Sequence, residues 1–600
     1  MLRRFVLFVY VVISGIGNLQ SGVSEARAKE PAHKPIDVLL QQKIPAPDGT
    51  LLAATVWKPD ADDKKYTAIL VVTPYVSDEA QSRARLYADR GYAMVSLDRR
   101  SRGASGGDYE ILTNVGPDAC AAIDWIKAQP WSDGLVAMRG GSYRGMTQWM
   151  TASTCPEKLE TIIPTASVYP GHDDFPLGRG LGSYKYIAQW LSFVAGPTNN
   201  FNLFADQDYW HERTMTSYRT HLPFHQYDAF VGHPSPVFQG WVETLSDPAK
   251  WDVYTIAPEV YGAMDLPILS ITGHYDGDQG GALGYFRQHQ ESAPRSKRRQ
   301  HYLVMGPWDH SGTRAPRQKL SDDTEFAPNA AFDMDQFNME WFDWQLGRGP
   351  KPTLLRKGRI AYYMGGVNEW RHAEDLDAIT QRTQTLFISA QPDEAYDVFR
   401  SGQLAANATD NETPHSFKSD PLDISRADTT DGSLWSLSDS KFRDVWPAHM
   451  PETLVFHSAA LEEAMSVAGQ MRLTLYLEID TPDTDIFATV YAILPDGEPL
   501  HLGNDIVRAR FRNGLTPQMV KPGTIEPYVF DGFAWNAWKL PVGTRLRLTV
   551  GPFNDPYFQK NYNSGGRLGF ETAEDARIAT IRLHHNIDHP SALEIPLTKD

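Results

Sequence analysis

The chain has 600 residues, 42% hydrophobic, 22% charged and 11% aromatic, with a formal net charge of −17. That length exceeds what one hydrophobic core organises, so two or three domains are expected. An acidic balance without long basic runs argues against nucleic acid or an anionic membrane as the main partner.

The first segment reads as a targeting signal. Arg3 and Arg4 precede an apolar run, Phe5 to Ile13, and Ala26-Arg27-Ala28 supplies an A-x-A cleavage pattern. The run is too short for an ordinary transmembrane helix, and no other stretch is apolar for long enough, so no integral membrane domain is expected. Residues 1–28 are expected as a signal peptide and the mature chain as periplasmic or secreted. Cys120 and Cys155 are the two cysteines. Export permits them to pair, and their spacing leaves the pairing open.

Asp37 to Lys58 alternates like paired strands, turned at Pro47-Asp48-Gly49. A buried-strand run, Thr67 to Thr73, leads to Tyr75, followed by a helix pattern (Glu79 to Arg90) and a second strand, Ala93 to Leu97. Asp98 to Gly107 is a loop rich in Gly and Arg, and Pro117 to Gln129 has helical spacing. Leu135 to Met138 is a third strand that runs directly into Gly140-Gly141-Ser142. Such alternation predicts a parallel sheet covered on both faces. Between about Val168 and Val260 the rhythm breaks into short helix-like segments carrying Trp190, Phe193, Trp210, Phe224 and Trp241, which reads as an inserted helical cap. The sheet resumes with Pro267 to Thr272 and His301 to Met305, and a helix near Met334 to Leu346 closes this half. Beyond Pro350 strands dominate, among them Met471 to Ile479, Ile486 to Leu494 and Thr544 to Val550, and predict a β-sandwich of jelly-roll type. The expected division is core at 29–150, cap and connections at 151–258, core again at 259–350 and jelly roll at 351–600.

A strand that turns sharply into a helix through small residues can lift a serine oxygen above a sheet. Gly140-Gly141-Ser142-Tyr143-Arg144-Gly145 fits, although its last glycine falls one place later than in G-x-S-x-G. A serine nucleophile needs a histidine base oriented by a carboxylate, and in this fold acid and base follow the serine on loops after strands. Strand 267–272 ends in Gly273-His274-Tyr275-Asp276-Gly277-Asp278, and strand 301–305 in Gly306-Pro307-Trp308-Asp309-His310. Ser142, Asp276 and His310 satisfy order and chemistry together. Asp278 is the rival acid, and His274 the weaker rival base because it precedes the acid.

With those motifs the chain resembles the X-Pro dipeptidyl-peptidase and cocaine esterase (CocE/NonD) serine hydrolases. The resemblance is carried by G-x-S-Y-x-G at Gly140 to Gly145, Tyr275-Asp276-Gly277, Gly306-Pro307-Trp308-x-His310 and Thr73-Pro74-Tyr75. Trp125, Pro130 to Gly134, Pro482-Asp483-Thr484-Asp485 and Asn563 to Gly566 also match, as does Asp98 to Gly107, except that Ser101 stands where the family has glycine. The resemblance runs from about residue 38 to the C-terminus. It implies an α/β-hydrolase core with an inserted cap and a C-terminal jelly roll, and an oxyanion hole made by the Tyr143 backbone N–H and the Tyr75 hydroxyl.

Arg144 has two readings: attraction of an acidic substrate group, or pairing with a carboxylate such as Asp278 or Asp309. The expected reaction is acyl transfer on a small ester, amide or short peptide, without metal or organic cofactor. A general esterase or acylase leads. An X-Pro dipeptidyl-peptidase or an α-amino-acid ester hydrolase is the alternative, with Asp173, Asp174 and Asp278 as candidate amine-binding acids. A non-catalytic glycan- or ligand-binding protein on a hydrolase scaffold is the alternative of another class.

Overall fold

The computed structural model describes residues 35–61, 64–171, 174–182, 184–320, 324–410, 413–425 and 452–599. The expected signal peptide and Asp173 lie outside them. Strand β3 (Tyr66–Thr73) is buried along its whole length, as a continuous apolar run requires of a strand covered on both faces. It pairs in parallel with β4 (Ala93–Asp98) on one side and β5 (Ser132–Ser142) on the other. Earlier in the chain, β1 (Ile36–Pro45) and β2 (Leu51–Pro59) form an antiparallel edge. Parallel strands β6 (Thr161–Ser167), β7 (Ile268–Tyr275), β8 (His301–Asp309) and β9 (Ile360–Met364) extend the other side, and antiparallel β10 (Glu369–Ala373) closes it. The order is β1-β2-β4-β3-β5-β6-β7-β8-β9-β10.

Alternate residues of these strands serve opposite faces. Leu70, Val95, Met138 and Ile162 pack with Ile123 of helix α1 (Val115–Lys127) and Trp149 of α2 (Tyr143–Thr154). Their neighbours Ile69, Ala137 and Ile163 pack on the far face with Trp341 and Phe342 of the helix Met334–Gln345. Cys120 on α1 and Cys155 just after α2 are joined by a disulfide, with Cα atoms 6.2 Å apart. It ties together the two helices that flank the candidate nucleophile.

Two expected boundaries move. β9 and β10 lie beyond residue 350, so the first sheet runs on to Ala373, and β6 lies inside the interval assigned to the cap. A five-residue run such as Ile360 to Met364 reads equally well as sandwich or sheet, and only its parallel pairing with β8 decides. The cap has helices at Tyr184–Phe193, Gln207–Arg219 and Pro236–Thr244, and its aromatic residues Trp210, Phe224 and Trp241 are core. No helix among the described residues is long and apolar enough to cross a membrane.

The C-terminal strands form a β-sandwich whose inward residues alternate, as in Leu473, Leu475, Leu477 and Ile479 of the strand Arg472–Ile479. The Pro482-Asp483-Thr484-Asp485 motif supplies its buried ionic joint. Arg508 meets Asp485 at 2.8 Å and Arg510 meets Asp483 at 2.7 Å. Asn561 donates to both carboxylates, and Arg508 Nη1 donates to the Gly180 carbonyl of the cap at 3.1 Å. Asp485→Ala would strand the fully buried Arg508, so it is expected to cost about 3–5 kcal/mol, read as a lowered denaturation midpoint.

Candidate active site

Ser142 ends β5 and precedes the first residue of α2 with φ 62° and ψ −128°. A non-glycine residue holds that conformation only when its surroundings enforce it. Here they do. A Cβ on Gly145 would lie 2.5 Å from Ser167 Oγ, and one on Gly141 would lie 2.7 Å from Arg314 Cδ. Tyr143 opens α2, so its N–H belongs to the first turn, which has no helical acceptor. Its buried hydroxyl donates to the Ile111 carbonyl and accepts from Arg99 Nε at 3.3 Å, anchoring the turn to the Arg-rich loop.

Tyr75 is placed by that same loop. Arg102, fully buried, donates to the Pro74 carbonyl at 2.6 Å and to Asn199 Oδ1 at 2.6 Å, and Asn199 donates to the Tyr75 carbonyl. The Tyr75 hydroxyl accepts from Trp190 Nε1 of the cap at 3.2 Å, and burial keeps the phenol protonated by raising its pKa. In the same loop Ser101 adopts φ 61°, the backbone for which the resemblance favours glycine.

His310 follows β8 and Asp276 follows β7, two adjacent parallel strands. His310 Nδ1 lies 2.8 Å from Asp276 Oδ1, and Asp276 Oδ2 accepts from Thr272 Oγ1 at 2.7 Å. Burial alone would raise the Asp276 carboxyl, but His310, Thr272 and the Asp278 N–H together hold it below its ordinary value. Asp278 Oδ2 accepts from Ser142 Oγ at 3.4 Å and lies 3.5 Å from His310 Nδ1. Burial pushes Asp278 up to about 8, with the Asp174 and Asp276 charges adding and His310 and Arg314 opposing. Asp276, Asp278 and His310 offer ligand atoms within 4.8 Å of one another, although both Asp276 oxygens are already engaged by donors. His274 is buried 5.7 Å from the Trp535 ring, and burial lowers it to about 3. It has no carboxylate partner among the described residues.

One residue that the sequence reading left out enters here. Arg314, one helical turn beyond His310, donates from Nη1 to His310 Nε2 at 3.1 Å. The pairing expected for Arg144 is not found among the described residues: Asp309 is taken by Arg317, and Asp278 by Ser142 and His310. The Arg144 guanidinium instead stands 5.2 Å from the centroid of the Tyr75 ring.

Tyr75, Ser142, Arg144, Asp278, His310 and Arg314 all open on one cavity of about 930 Å³. Phe175, Trp190 and Phe193 of the cap line it, and so do Leu502, Phe533 and Trp535 of the sandwich. Gln279 fastens the acid loop to that domain: its Nε2 donates to the Trp535 carbonyl at 2.9 Å and its Oε1 accepts from Trp535 N at 2.7 Å.

Residues 48–312 match the X-Pro dipeptidyl-peptidase (S15 family), and residues 356–594 match the X-Pro dipeptidyl-peptidase C-terminal non-catalytic domain. The cocaine esterase of Rhodococcus sp. is 26% identical over 582 residues, covering 93% of this chain and 98% of that protein. An aminopeptidase from a marine sediment Thaumarchaeota archaeon superposes with a TM-score of 0.78 at 20% identity, covering 97% and 99% of the two chains. An α-amino acid ester hydrolase superposes with a TM-score of 0.77 at 20% identity, covering 96% and 100%. Fold and relatives together define an α/β-hydrolase enzyme, a serine hydrolase of ester or amide bonds. The chain carries the catalytic and the C-terminal domain of the X-Pro dipeptidyl-peptidases, and it is a homologue of cocaine esterase.

The raised Asp278 carboxyl has a thermodynamic signature. Its folded pKa lies above the unfolded value of about 4, so its contribution to stability is intact below that pH and is lost as pH rises towards about 8. Asp278→Asn is therefore expected to gain stability relative to the native chain progressively from about pH 4 to about pH 8 and to level off above, read by urea denaturation across that range.

Proposed function

We propose that Ser142 is the nucleophile, His310 the general base and Asp276 the carboxylate that orients it, with the Tyr75 hydroxyl and the Tyr143 N–H as oxyanion donors. The observation that carries this reading is the elbow conformation of Ser142 in one cavity with the Asp276–His310 pair. Asp276 accepts from Nδ1, which leaves Nε2 as the lone pair that removes a proton. In the resting geometry that lone pair accepts from Arg314, and Ser142 Oγ donates to Asp278. The attack therefore requires the Ser142 hydroxyl to turn from Asp278 to Nε2 and Arg314 to withdraw.

As Oγ bonds to the substrate carbonyl carbon, its proton passes to His310 Nε2 and the carbonyl oxygen becomes an anion held by Tyr75 and Tyr143. Collapse expels the alcohol or amine, which takes that proton. Water then attacks the acyl-enzyme, giving its proton to Nε2, and Ser142 recovers a proton as the acid leaves. An esterase or acylase of small substrates is the reading we favour over a peptidase. An amine-binding role asks for charged acids beside Ser142, whereas burial shifts Asp278 towards its neutral form and Asp174 accepts from the Tyr169 N–H at 2.6 Å. A general glycan binder would have no use for the elbow.

We also propose that the chain is exported and acts in the periplasm or outside the cell. The Cys120–Cys155 disulfide supports an oxidising compartment.

Ser142→Ala is expected to abolish turnover of 4-nitrophenyl esters and labelling by a fluorophosphonate while the fold is retained. Turnover near the native rate in that variant would sink the assignment. Tyr75→Phe is expected to lower kcat by roughly 10²–10³-fold with little change in KM, as for loss of one oxyanion donor. Export predicts that N-terminal sequencing of the protein recovered outside the cytoplasm starts at Lys29.

A further inference from the structure

The arginines of the cavity fall into two groups. Arg179 meets Asp505 at 3.2 Å and Asp531 at 2.9 Å, Arg317 meets Asp309, and Arg287 donates to Gln470 at 2.8 Å. Arg144 and Arg314, like Arg287, have no carboxylate within ion-pair distance among the described residues, and these two flank Ser142. The stem of Arg314 packs against Gly141, immediately before the serine, and Arg144 follows it by two residues on the first turn of α2. Arg144 Nε is buried without a hydrogen-bond partner among the described residues. Its guanidinium stands over the face of the Tyr75 ring.

A guanidinium half-buried in a cavity wall is helped by an acid beside it, because losing water without compensation is costly. Glu79, whose charge Arg144 feels, is occupied by Asn199 Nδ2 at 2.9 Å and stands outside ion-pair range of Arg144. Burial and the facing charge of Arg314 lower Arg144 to about 10, which still leaves it a cation at neutral pH. The two positive groups are thus held near each other, against their mutual repulsion, in the wall of a cavity wide enough for a ligand.

We propose that Arg144 and Arg314 form a clamp for ester substrates that carry a carboxylate a few bonds from the scissile carbonyl. This rests on the assignment of Ser142 as the nucleophile. A carboxylate supplies the charged acceptor that neither guanidinium has. It also gives Arg314 a stronger partner than His310 Nε2, so binding the right substrate releases the lone pair that takes the Ser142 proton. Arg144 and Arg314 are then specificity-determining residues, and a neutral ester leaves the base partly occupied.

The test compares esters that differ only in that charge. One pair places the acid in the acyl part: 4-nitrophenyl hydrogen adipate against 4-nitrophenyl methyl adipate. The other places it in the leaving group: 3-acetoxybenzoate against its methyl ester. The native enzyme is expected to prefer the anion of at least one pair by roughly 10- to 100-fold in kcat/KM, the range for hydrogen bonds to a charged group. Arg144→Gln and Arg314→Gln should each bring that ratio towards one, and Arg144→Lys should restore part of it. The readout is a ratio within one variant, so a general loss of activity cancels. Neutral esters turned over with no anion preference in either pair would overturn the clamp while leaving the serine mechanism standing. A preference that survives both Gln variants would overturn the assignment to these arginines. If neither ester turns over and a fluorophosphonate does not label Ser142, the mechanism fails and the clamp with it. Should the variants not fold, free adipate is expected to slow fluorophosphonate labelling of the native enzyme where adipamide at equal concentration does not; equal protection by both would overturn the proposal.

Discussion

The backbone at Ser142 is the constraint on which the rest of the molecule turns. A serine at φ 62° between a strand and a helix is held against its own preference, at a cost of roughly 1–3 kcal/mol. The enforcement is distributed. Gly140 and Gly145 give the chain room to turn, β6 presses on Gly145 from one side, and Arg314 closes on Gly141 from the other. Behind the helix, the disulfide ties α2 to α1, and the Tyr143 hydroxyl ties its first turn to the Arg-rich loop. Remove that conformation and the candidate nucleophile loses its position relative to His310 and Asp276.

The Arg-rich loop is a second organiser, and its residues have separate tasks. Arg99 and Arg100 share Asp118 at the start of α1, with contacts of 3.1 and 2.7 Å. Arg102 reaches forward to Pro74 and Asn199, and so places Tyr75. The loop therefore converts buried charge into the relative positions of the elbow helix and the hydroxyl opposite it. A buried charge network of this kind adds little stability compared with an apolar core, but it specifies one arrangement.

Much of this was legible in the sequence, for a physical reason. Ser142, Asp276 and His310 each sit at or just past the end of a buried strand, so strand periodicity marks their place without any knowledge of distance. The alternation of strand and helix likewise announces the first sheet, and the strand-rich half announces the sandwich. What stayed hidden depends on groups far apart in the chain. Arg144 carried a sensible expectation of an acidic partner, yet Asp309 is claimed by Arg317, eight residues along its own loop. Arg314 had one faint signal, its spacing of four from His310. The extension of the sheet past residue 350 is decided by which strand Ile360–Met364 chooses as neighbour, and neither composition nor period records that choice.

The Gln279–Trp535 clip bears on how such an enzyme can change. A side-chain amide there meets both the N–H and the carbonyl of Trp535, just before the strand Asn536–Leu540, and so couples the acid loop to the sandwich. The sandwich brings residues 501–505 of the strand Pro499–Arg508, and the loop 531–535, to the cavity. Those segments hold none of the groups assigned to the reaction. A new substrate can therefore be admitted by altering a wall that takes no part in the chemistry, while the reactive groups on the first sheet stay as they are.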